Sequence, residues 1–237
     1  MPKKVKTNEV DLHSNKVYQT LRSLQAPDLK RLMKYMNSPY FNQSKTLTRL
    51  CELLGSAAER GDPGFDRMRF WQVLFPGEQY DDVNFRKYCS DLLKLVQDFM
   101  AQEIIMNDPA RRSIDAMDFA VRRKIEPLFT GTLRLARAEM DKTQYRSLEY
   151  FKNAHTVERL YYSMMDFDVK LNVRANIEEI GYNLDLFYWI EKLKLYSSIL
   201  SQKRTGNYEY KINFIEKIIT YLKKFYINEV LEIDIFY

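Results

Sequence analysis

The sequence predicts an all-α protein, and three observations lead to this prediction. The 237 residues include only 7 Gly and 7 Pro, about half the usual share of these two residue types. A sheet protein needs glycine-bearing turns about every ten residues, which this composition cannot supply. Apolar residues instead recur at spacings of three and four along most of the chain. Every proline lies before residue 128, which predicts a bundle of short helices followed by an antiparallel array of longer ones.

The first part of the chain is predicted to be a disordered basic segment, residues 1–14, followed by an N-terminal helical bundle, residues 15–108. Pro27 suits the first turn of the second helix and Pro39 ends it, whereas Ser44 and Asp81 or Asp82 are side chains that cap helices. A short aromatic helix is expected from Phe65 to Phe75. The other four predicted apolar stripes are Val17, Leu21 and Leu24; Leu29, Leu32, Met33 and Met36; Leu47, Leu50, Cys51, Leu54 and Ala58; and Phe85, Tyr88, Cys89, Leu92, Val96, Phe99 and Met100.

The second part, residues 109–237, is predicted to be the array of longer helices. Asp108-Pro109 starts its first helix. An apolar stripe keeps its phase through Pro127, so we expect a kink there, with a break as the alternative that Gly131 suggests. The stripe residues are Ile114, Met117, Val121, Ile125, Leu128 and Leu135. Thr143 is expected to cap a helix over 144–165. A short helix around Ile177 and Ile180, a long one from Leu184 to Gln202 and another over 209–226 follow. The chain stops on an apolar pattern with no helix-ending signal, which predicts that the array is truncated there.

Three stretches resemble a large family of uncharacterised bacterial all-helical proteins with degenerate tetratricopeptide-like repeats. They are Ser38-Pro-Tyr-Phe-Asn42, Phe75-Pro-Gly-Glu-Gln-Tyr-Asp-Asp82 with the helix ending Asp98-Phe-Met-Ala-Gln-Glu103, and Leu184-Asp-Leu-Phe-Tyr-Trp-Ile-Glu-Lys-Leu-Lys194. The resemblance implies that this chain is the N-terminal portion of such a protein, and that its array is an α-solenoid. It implies no enzyme activity and no catalytic residues. The repeat signature itself is incomplete, because helix 184–202 carries Trp189 and Leu193 without the Leu-Gly step or a closing proline.

Charge and cysteine content favour an ordinary cytoplasmic protein. The formal net charge is +5, and residues 1–60 hold 11 Lys or Arg against 5 Asp or Glu. Cys51 and Cys89 lack the spacing of a zinc or redox motif, and buried free thiols are favoured over a disulfide between them. The basic start has no apolar stretch of a signal peptide, and no window is apolar enough to span a membrane.

Catalytic chemistry has little support in the sequence. The two histidines are His13, in the segment expected to be disordered, and His155, whose nearest acidic neighbour is Glu158; a structural role is favoured for His155. Motifs for phosphate loops, dinucleotide cofactors, hydrolases and zinc peptidases do not occur, so we expect no cofactor and no metal. Adjacent acids point in different directions on a helix and make poor acid–base pairs. These acids are Asp81 and Asp82, Glu178 and Glu179, with Asp166 and Asp168 close together.

A basic cluster near residue 120 is the best nucleic-acid candidate. Arg111 aligns with Arg122 and Arg112 with Arg123, because eleven residues make about three helical turns. Asp115 and Asp118 are spaced to neutralise part of this line, and the sequence suggests no exposed aromatic residue beside it for base stacking. We therefore favour a solvated, self-paired face. Three further basic residues extend the cluster: Lys124, Arg134 and Arg137.

Tyrosine is concentrated in the second part, which holds 12 of the 17 tyrosines. Aromatic residues occur on more than one face of the predicted helices, as expected for helices inside a stack or lining a binding groove. The residues expected to contact a protein or peptide partner are Tyr161, Tyr162, Tyr188, Trp189 and Tyr196.

Three hypotheses follow. The leading one is a non-catalytic protein–protein interaction or scaffold module that uses this tyrosine-rich surface. The alternative is a nucleic-acid-associated protein that uses the basic N-terminal segment and the Arg111–Arg137 stripe. A third is a metal-dependent helical hydrolase that uses Asp166 and Asp168. The sequence leaves the partner and the oligomeric state open.

Overall fold

The computed structural model describes residues 15–61, 67–142, 145–165, 175–206 and 210–225. Within these residues the chain is 81% helical, with ten helices and no strands. It divides into two compact units, residues 1–107 and 108–237. The boundary expected from the sequence, between residues 108 and 109, is one residue further along. The segment predicted to be disordered, residues 1–14, lies outside the described residues.

The described part of the first unit forms five helices. They are α1 (Lys16–Ser23), α2 (Ala26–Met36), α3 (Lys45–Arg60), α4 (Arg67–Leu74) and α5 (Asp82–Met106). Helices α1 and α2 both pack against α3 and α5, and α4 packs against α3. The apolar stripes predicted from the sequence form this core, which centres on Leu21, Leu32, Leu50, Leu54 and Leu92. Of the aromatic helix predicted from Phe65 to Phe75, α4 covers Arg67–Leu74; Phe75 lies after its end, and residues 65 and 66 lie outside the described residues.

Ser44 and Asp81 cap helices α3 and α5, as the sequence predicted. Ser44 Oγ accepts from Leu47 N at 3.2 Å, and Asp81 Oδ1 accepts from Val83 N at 2.9 Å. Each acceptor satisfies an amide of the first turn that has no partner within the helix. Helix α3 ends at Gly61, whose φ of 64° is a left-handed conformation that favours glycine.

The turn Ser38-Pro-Tyr-Phe-Asn42 is held by the side chain of Asn42. Its Nδ2 donates to the carbonyl oxygen of Met36 and to Thr48 Oγ1, each at 2.9 Å, while Oδ1 accepts from Ser44 N at 3.0 Å. Asn42 thereby joins the end of α2 to the start of α3 and is itself buried. The ring of Phe41 stacks on Tyr35 with centroids 4.3 Å apart.

The described residues of the second unit also form five helices. They are α6 (Pro109–Arg123), α7 (Glu126–Asp141), α8 (Leu148–Met164), α9 (Ile177–Thr205) and α10 (Ile215–Phe225). Each helix packs against the next one in sequence, and α8 also packs against α6. Asp108 caps α6 as predicted, with its Oδ1 accepting from Arg111 N at 2.9 Å. The core centres on Met117, Ala120, Ala136 and Val157.

The prediction of a single helix kinked at Pro127 was wrong. Helix α6 ends before Lys124, which adopts a left-handed φ of 54°, and Ile125 N donates to the carbonyl oxygen of Ala120 at 2.9 Å. This hydrogen-bond pattern closes a helix, so Pro127 lies in the first turn of a new one. The predicted stripe residues Leu128 and Leu135 are consequently exposed.

Three other predicted boundaries were also wrong. Helix α8 begins at Leu148 behind a Ser147 cap and not near Thr143, because Ser147 Oγ accepts from Tyr150 N at 3.3 Å. The separate helix around Ile177 and Ile180 is part of the continuous helix α9. The last helix begins at Ile215 and not at residue 209, directly after Phe214 with its left-handed φ of 67°.

Candidate interaction surface

A buried carboxylate fixes helix α8 against its neighbours in the second unit. The side chain of Glu158 is only 8% exposed, and Oε1 accepts from Arg137 Nη2 at 2.7 Å. Asn176 Nδ2 donates to Glu158 Oε2 at 2.7 Å and lies 2.9 Å from the carbonyl oxygen of the same residue. These contacts compensate a charge that would otherwise be costly to bury. They also join α7, α8 and the residue that precedes α9.

His155 provides a second connection between α8 and α9. Its Nδ1 lies 3.2 Å from the carbonyl oxygen of Ile180, a distance at which a protonated Nδ1 donates a hydrogen bond. This is the structural role favoured from the sequence. Glu158, the proposed acidic neighbour, instead contacts Arg137 and Asn176. His13 lies outside the described residues.

Two of the five predicted partner-binding residues lie on α8. The ring of Tyr161 faces that of Phe129 across α7 and α8, with centroids 6.4 Å apart and planes 13° apart. The guanidinium of Arg137 lies 5.4 Å from the Tyr161 centroid. Tyr162 is half-buried. Tyr161 thus belongs to the packing of α7 on α8.

The other three residues lie on α9, where Trp189 and Tyr196 share a face and Tyr188 points about 90° away from them. The Trp189 ring meets Tyr221 of α10, with centroids 5.2 Å apart. Tyr196 is half-buried. Tyr188 is exposed, and Lys192 Nζ lies 5.3 Å from its ring centroid. Tyr161 and Trp189 make packing contacts between neighbouring helices, and Tyr188 is the most exposed member of the predicted set.

One face of α9 carries a row of exposed apolar side chains, which we name the outer stripe. Its members are Ile177, Leu184, Tyr188 and Leu195, which are between 38% and 60% exposed. At about 100° per residue, each side chain points within about 20° of one common direction. The row extends along about 27 Å of the helix, since 18 residues each rise about 1.5 Å.

Helix α8 covers the opposite face of α9. Leu186 is buried and points about 180° away from the outer stripe. The sequence indicated apolar residues on more than one face of this helix, a pattern typical of a helix packed on two sides. Among the described residues, α8 and α10 are the helices that pack on α9, and the outer stripe is exposed to solvent.

The arginine face of α6 combines paired and exposed side chains. Arg122 Nε lies 2.7 Å from Asp118 Oδ2, and Arg111 Nε lies 3.9 Å from Asp115 Oδ2, as the sequence predicted. Arg112 and Arg123 are exposed.

The expectation that this face lacks an exposed aromatic residue was wrong. Phe119 is 53% exposed, and the Arg123 guanidinium lies 5.8 Å from its ring centroid. Phe119 is not part of the apolar stripe predicted for this helix. Its position off the stripe was the sequence feature that indicated an exposed ring.

Asp81 and Asp82 are occupied by structural contacts. Asp81 caps α5, while Asp82 accepts from the Tyr80 hydroxyl at 2.8 Å and lies 2.7 Å from Arg86 Nη2. The hydrogen bond from Tyr80 lowers the pKa of Asp82, and nearby arginines add to this effect. Burial, followed by the bond to Asp82, raises the pKa of Tyr80 to about 12.

Metal-binding groups are not assembled within the described part of the chain. No cluster of three or more His, Cys, Asp or Glu side chains occurs there. Glu178 and Glu179 are exposed in the first turn of α9, and Asp166 and Asp168 lie outside the described residues.

Both cysteines are buried free thiols in the first unit. Burial raises the pKa of Cys51 to about 12 and also raises that of Cys89, whose Sγ accepts from Asn15 Nδ2 at 3.4 Å. A thiol is a poor nucleophile while it stays protonated, so both groups suit packing better than catalysis.

No helix among the described residues has the length and apolar character needed to cross a membrane. Comparisons of the chain with protein-family models, with curated proteins and with solved structures find no match. Its function is therefore inferred from its own residues.

Proposed function

We propose that the chain is a non-catalytic protein-interaction module whose outer stripe binds an apolar helix. The observation that carries the proposal is the row of Ile177, Leu184, Tyr188 and Leu195 exposed on one face of α9. Exposed apolar side chains aligned on one helix face are typical of a binding site, and helix recognition uses apolar contacts at such spacings.

The support beneath the stripe suits a binding surface. The contacts of Asn176 with Glu158 and of His155 with Ile180 hold the first turns of α9 on α8. A partner would therefore meet a helix that is already ordered, which lowers the entropy cost of association. In this proposal the successive packing of α6 to α10 is a repeat-like array that supports the stripe.

Photo-crosslinking tests the proposal directly. Leu184 is replaced by benzoylphenylalanine in native cells, and cross-linked peptides are identified by mass spectrometry. Leu200 provides a matched control, because it is 44% exposed on the same helix but points about 140° away from the stripe. We expect position 184 to cross-link to one defined apolar helix, and Leu195→Asp to remove that product. Identical products from positions 184 and 200 would contradict the proposal.

A second candidate function is nucleic-acid association, which the exposed ring of Phe119 beside Arg123 favours. A ring can stack on an unpaired base while exposed guanidinium groups contact phosphates. The Arg112→Gln/Arg123→Gln double variant should weaken binding of a single-stranded RNA more than Arg111→Gln/Arg122→Gln, whose arginines already contact aspartates. Fluorescence anisotropy at several salt concentrations measures this difference. Absent or salt-independent binding would dismiss this candidate.

A further inference from the structure

We propose that the helix bound by the outer stripe is the same stripe of a second copy, packed antiparallel about a two-fold axis. This inference rests on the proposed function and names its partner. Two observations support it: the order of apolar residues along α9 and the distribution of charge beside them.

The apolar residues have the same spacing when read in either direction. The steps from Ile177 to Leu184, Tyr188 and Leu195 are seven, four and seven residues, so the row is symmetric about position 186. A second α9 laid antiparallel with its position 186 opposite the first brings apolar side chains together throughout. Ile177 then meets Leu195 of the second copy, and Leu184 meets Tyr188 of the second copy. Each contact occurs twice, as a two-fold interface requires.

Charge selects the antiparallel orientation over a parallel one. Glu178 and Asp185 lie on one side of the stripe toward its N-terminal end, and Lys192 lies on the same side toward its C-terminal end. An antiparallel pair places Lys192 opposite position 180 of the second copy, between the two acids. A parallel pair in register would instead place these residues of the two copies on opposite sides of the contact, so Lys192 would not meet Glu178 or Asp185 of the second copy.

Gly181 leaves space at the same contact. A Cβ atom built on Gly181 would meet nothing within 4 Å, so the surface there is open. In the antiparallel arrangement this position lies at the same level along the helix as Glu191 of the second copy. Gly181 therefore has no side chain that would obstruct the approach of the two helices there.

Sedimentation equilibrium of the full chain tests the association. We expect a species of twice the 28.4 kDa chain mass. Leu184→Asp places a charge in the apolar contact and should raise the dissociation constant at least about tenfold. Leu200→Asp adds the same charge off the stripe and should leave the dimer intact. A single-chain mass at all concentrations, or equal effects of the two variants, would overturn the inference.

Cysteine pairing tests the orientation. Ile177→Cys and Leu195→Cys chains are mixed under mild oxidation, with the unchanged chain as the background for the buried Cys51 and Cys89. Antiparallel packing predicts a disulfide between the two different variants, and little product from either variant alone. Disulfides within each separate variant would indicate parallel packing and overturn the inference.

Failure here is distinguishable from failure of the proposed function. A monomeric chain whose position 184 still cross-links to a different polypeptide would overturn the second copy as partner and retain the interaction module. A monomeric chain without any such product would overturn both.

Discussion

The guanidinium of Arg137 donates to the nearly buried carboxylate of Glu158 at 2.7 Å. The two residues lie on α7 and α8 and are 21 positions apart in sequence. Asn176, just before α9, donates to the other carboxylate oxygen. This arrangement positions the helix that carries the outer stripe.

Removing Arg137 should destabilise the second unit. In Arg137→Met the buried carboxylate of Glu158 loses its ion-pair partner. Among the described side chains, only Asn176 then still donates a hydrogen bond to it, so we expect the free energy of unfolding to fall by about 2–3 kcal/mol. Arg134→Met is the matched control, an exposed arginine of the same helix, with an expected change below about 0.5 kcal/mol.

Urea unfolding measures this prediction. A Trp71→Phe background leaves Trp189 as the single tryptophan, so fluorescence reports the second unit. Adding Glu158→Gln to Arg137→Met should recover part of the loss, because the unpaired charge is removed. Equal losses for the Arg134 and Arg137 variants would show that the ion pair is not important.

The bond between Tyr80 and Asp82 should make the first unit sensitive to pH at both extremes. Folding raises the pKa of Tyr80 from 10.0 to about 12. Its contribution to the stability of the folded state is therefore fully present below pH 10 and is lost as the pH rises toward 12. Folding lowers the pKa of Asp82. Its contribution to stability is therefore present above about pH 4, the pKa of an aspartate in the unfolded chain, and is lost as the pH falls below that value.

Tyr80→Phe should flatten both ends of this pH profile. Tyr40→Phe is the control in the same unit, since Tyr40 is 87% exposed. Urea unfolding from pH 3 to 11, followed by Trp71 fluorescence in a Trp189→Phe background, makes the comparison. Parallel profiles for the unchanged chain and Tyr80→Phe would contradict the assigned role of the bond.

Replacing glycine by alanine at positions 61 and 55 should change the free energy of unfolding in opposite directions. Gly61→Ala forces a Cβ into a left-handed φ of 64° and should cost about 1 kcal/mol of stability. Gly55→Ala lies inside α3, where its Cβ would lie 3.9 Å from Leu29 Cδ2, and should add about 0.5–1 kcal/mol. Changes of the same sign in Trp71-detected unfolding would rule out this backbone account.

Local signals were predictable from the sequence, whereas contacts distant in sequence were not. Ser44, Asp81 and Asp108 cap helices through amides only two or three positions away, so the cap and the amide that it binds lie in one short stretch. The left-handed Lys124 carries no such signal, because lysine rarely adopts that conformation. Pro127 was therefore predicted to kink a continuous helix, although it lies in the first turn of the separate helix α7.

The candidate site shows the same division. The sequence predicted apolar residues on several faces of α9. Which of these faces is exposed depends on the packing of α9 against α8. That packing depends on Glu158 and Asn176, 18 residues apart and without a shared motif. The aromatic content therefore led to Tyr161 and Trp189 being predicted as partner-binding residues, although both pack against neighbouring helices. The exposed residues Ile177, Leu184 and Leu195 were not predicted to bind a partner.

Thiol labelling of the outer stripe tests the central claim most directly. Leu184→Cys and Leu200→Cys chains are labelled with a maleimide over a range of protein concentrations, with the unchanged chain as background. If the stripe is covered by a second copy, labelling at position 184 slows as concentration rises, while labelling at position 200 stays constant. Equal, concentration-independent labelling at both positions would contradict the account.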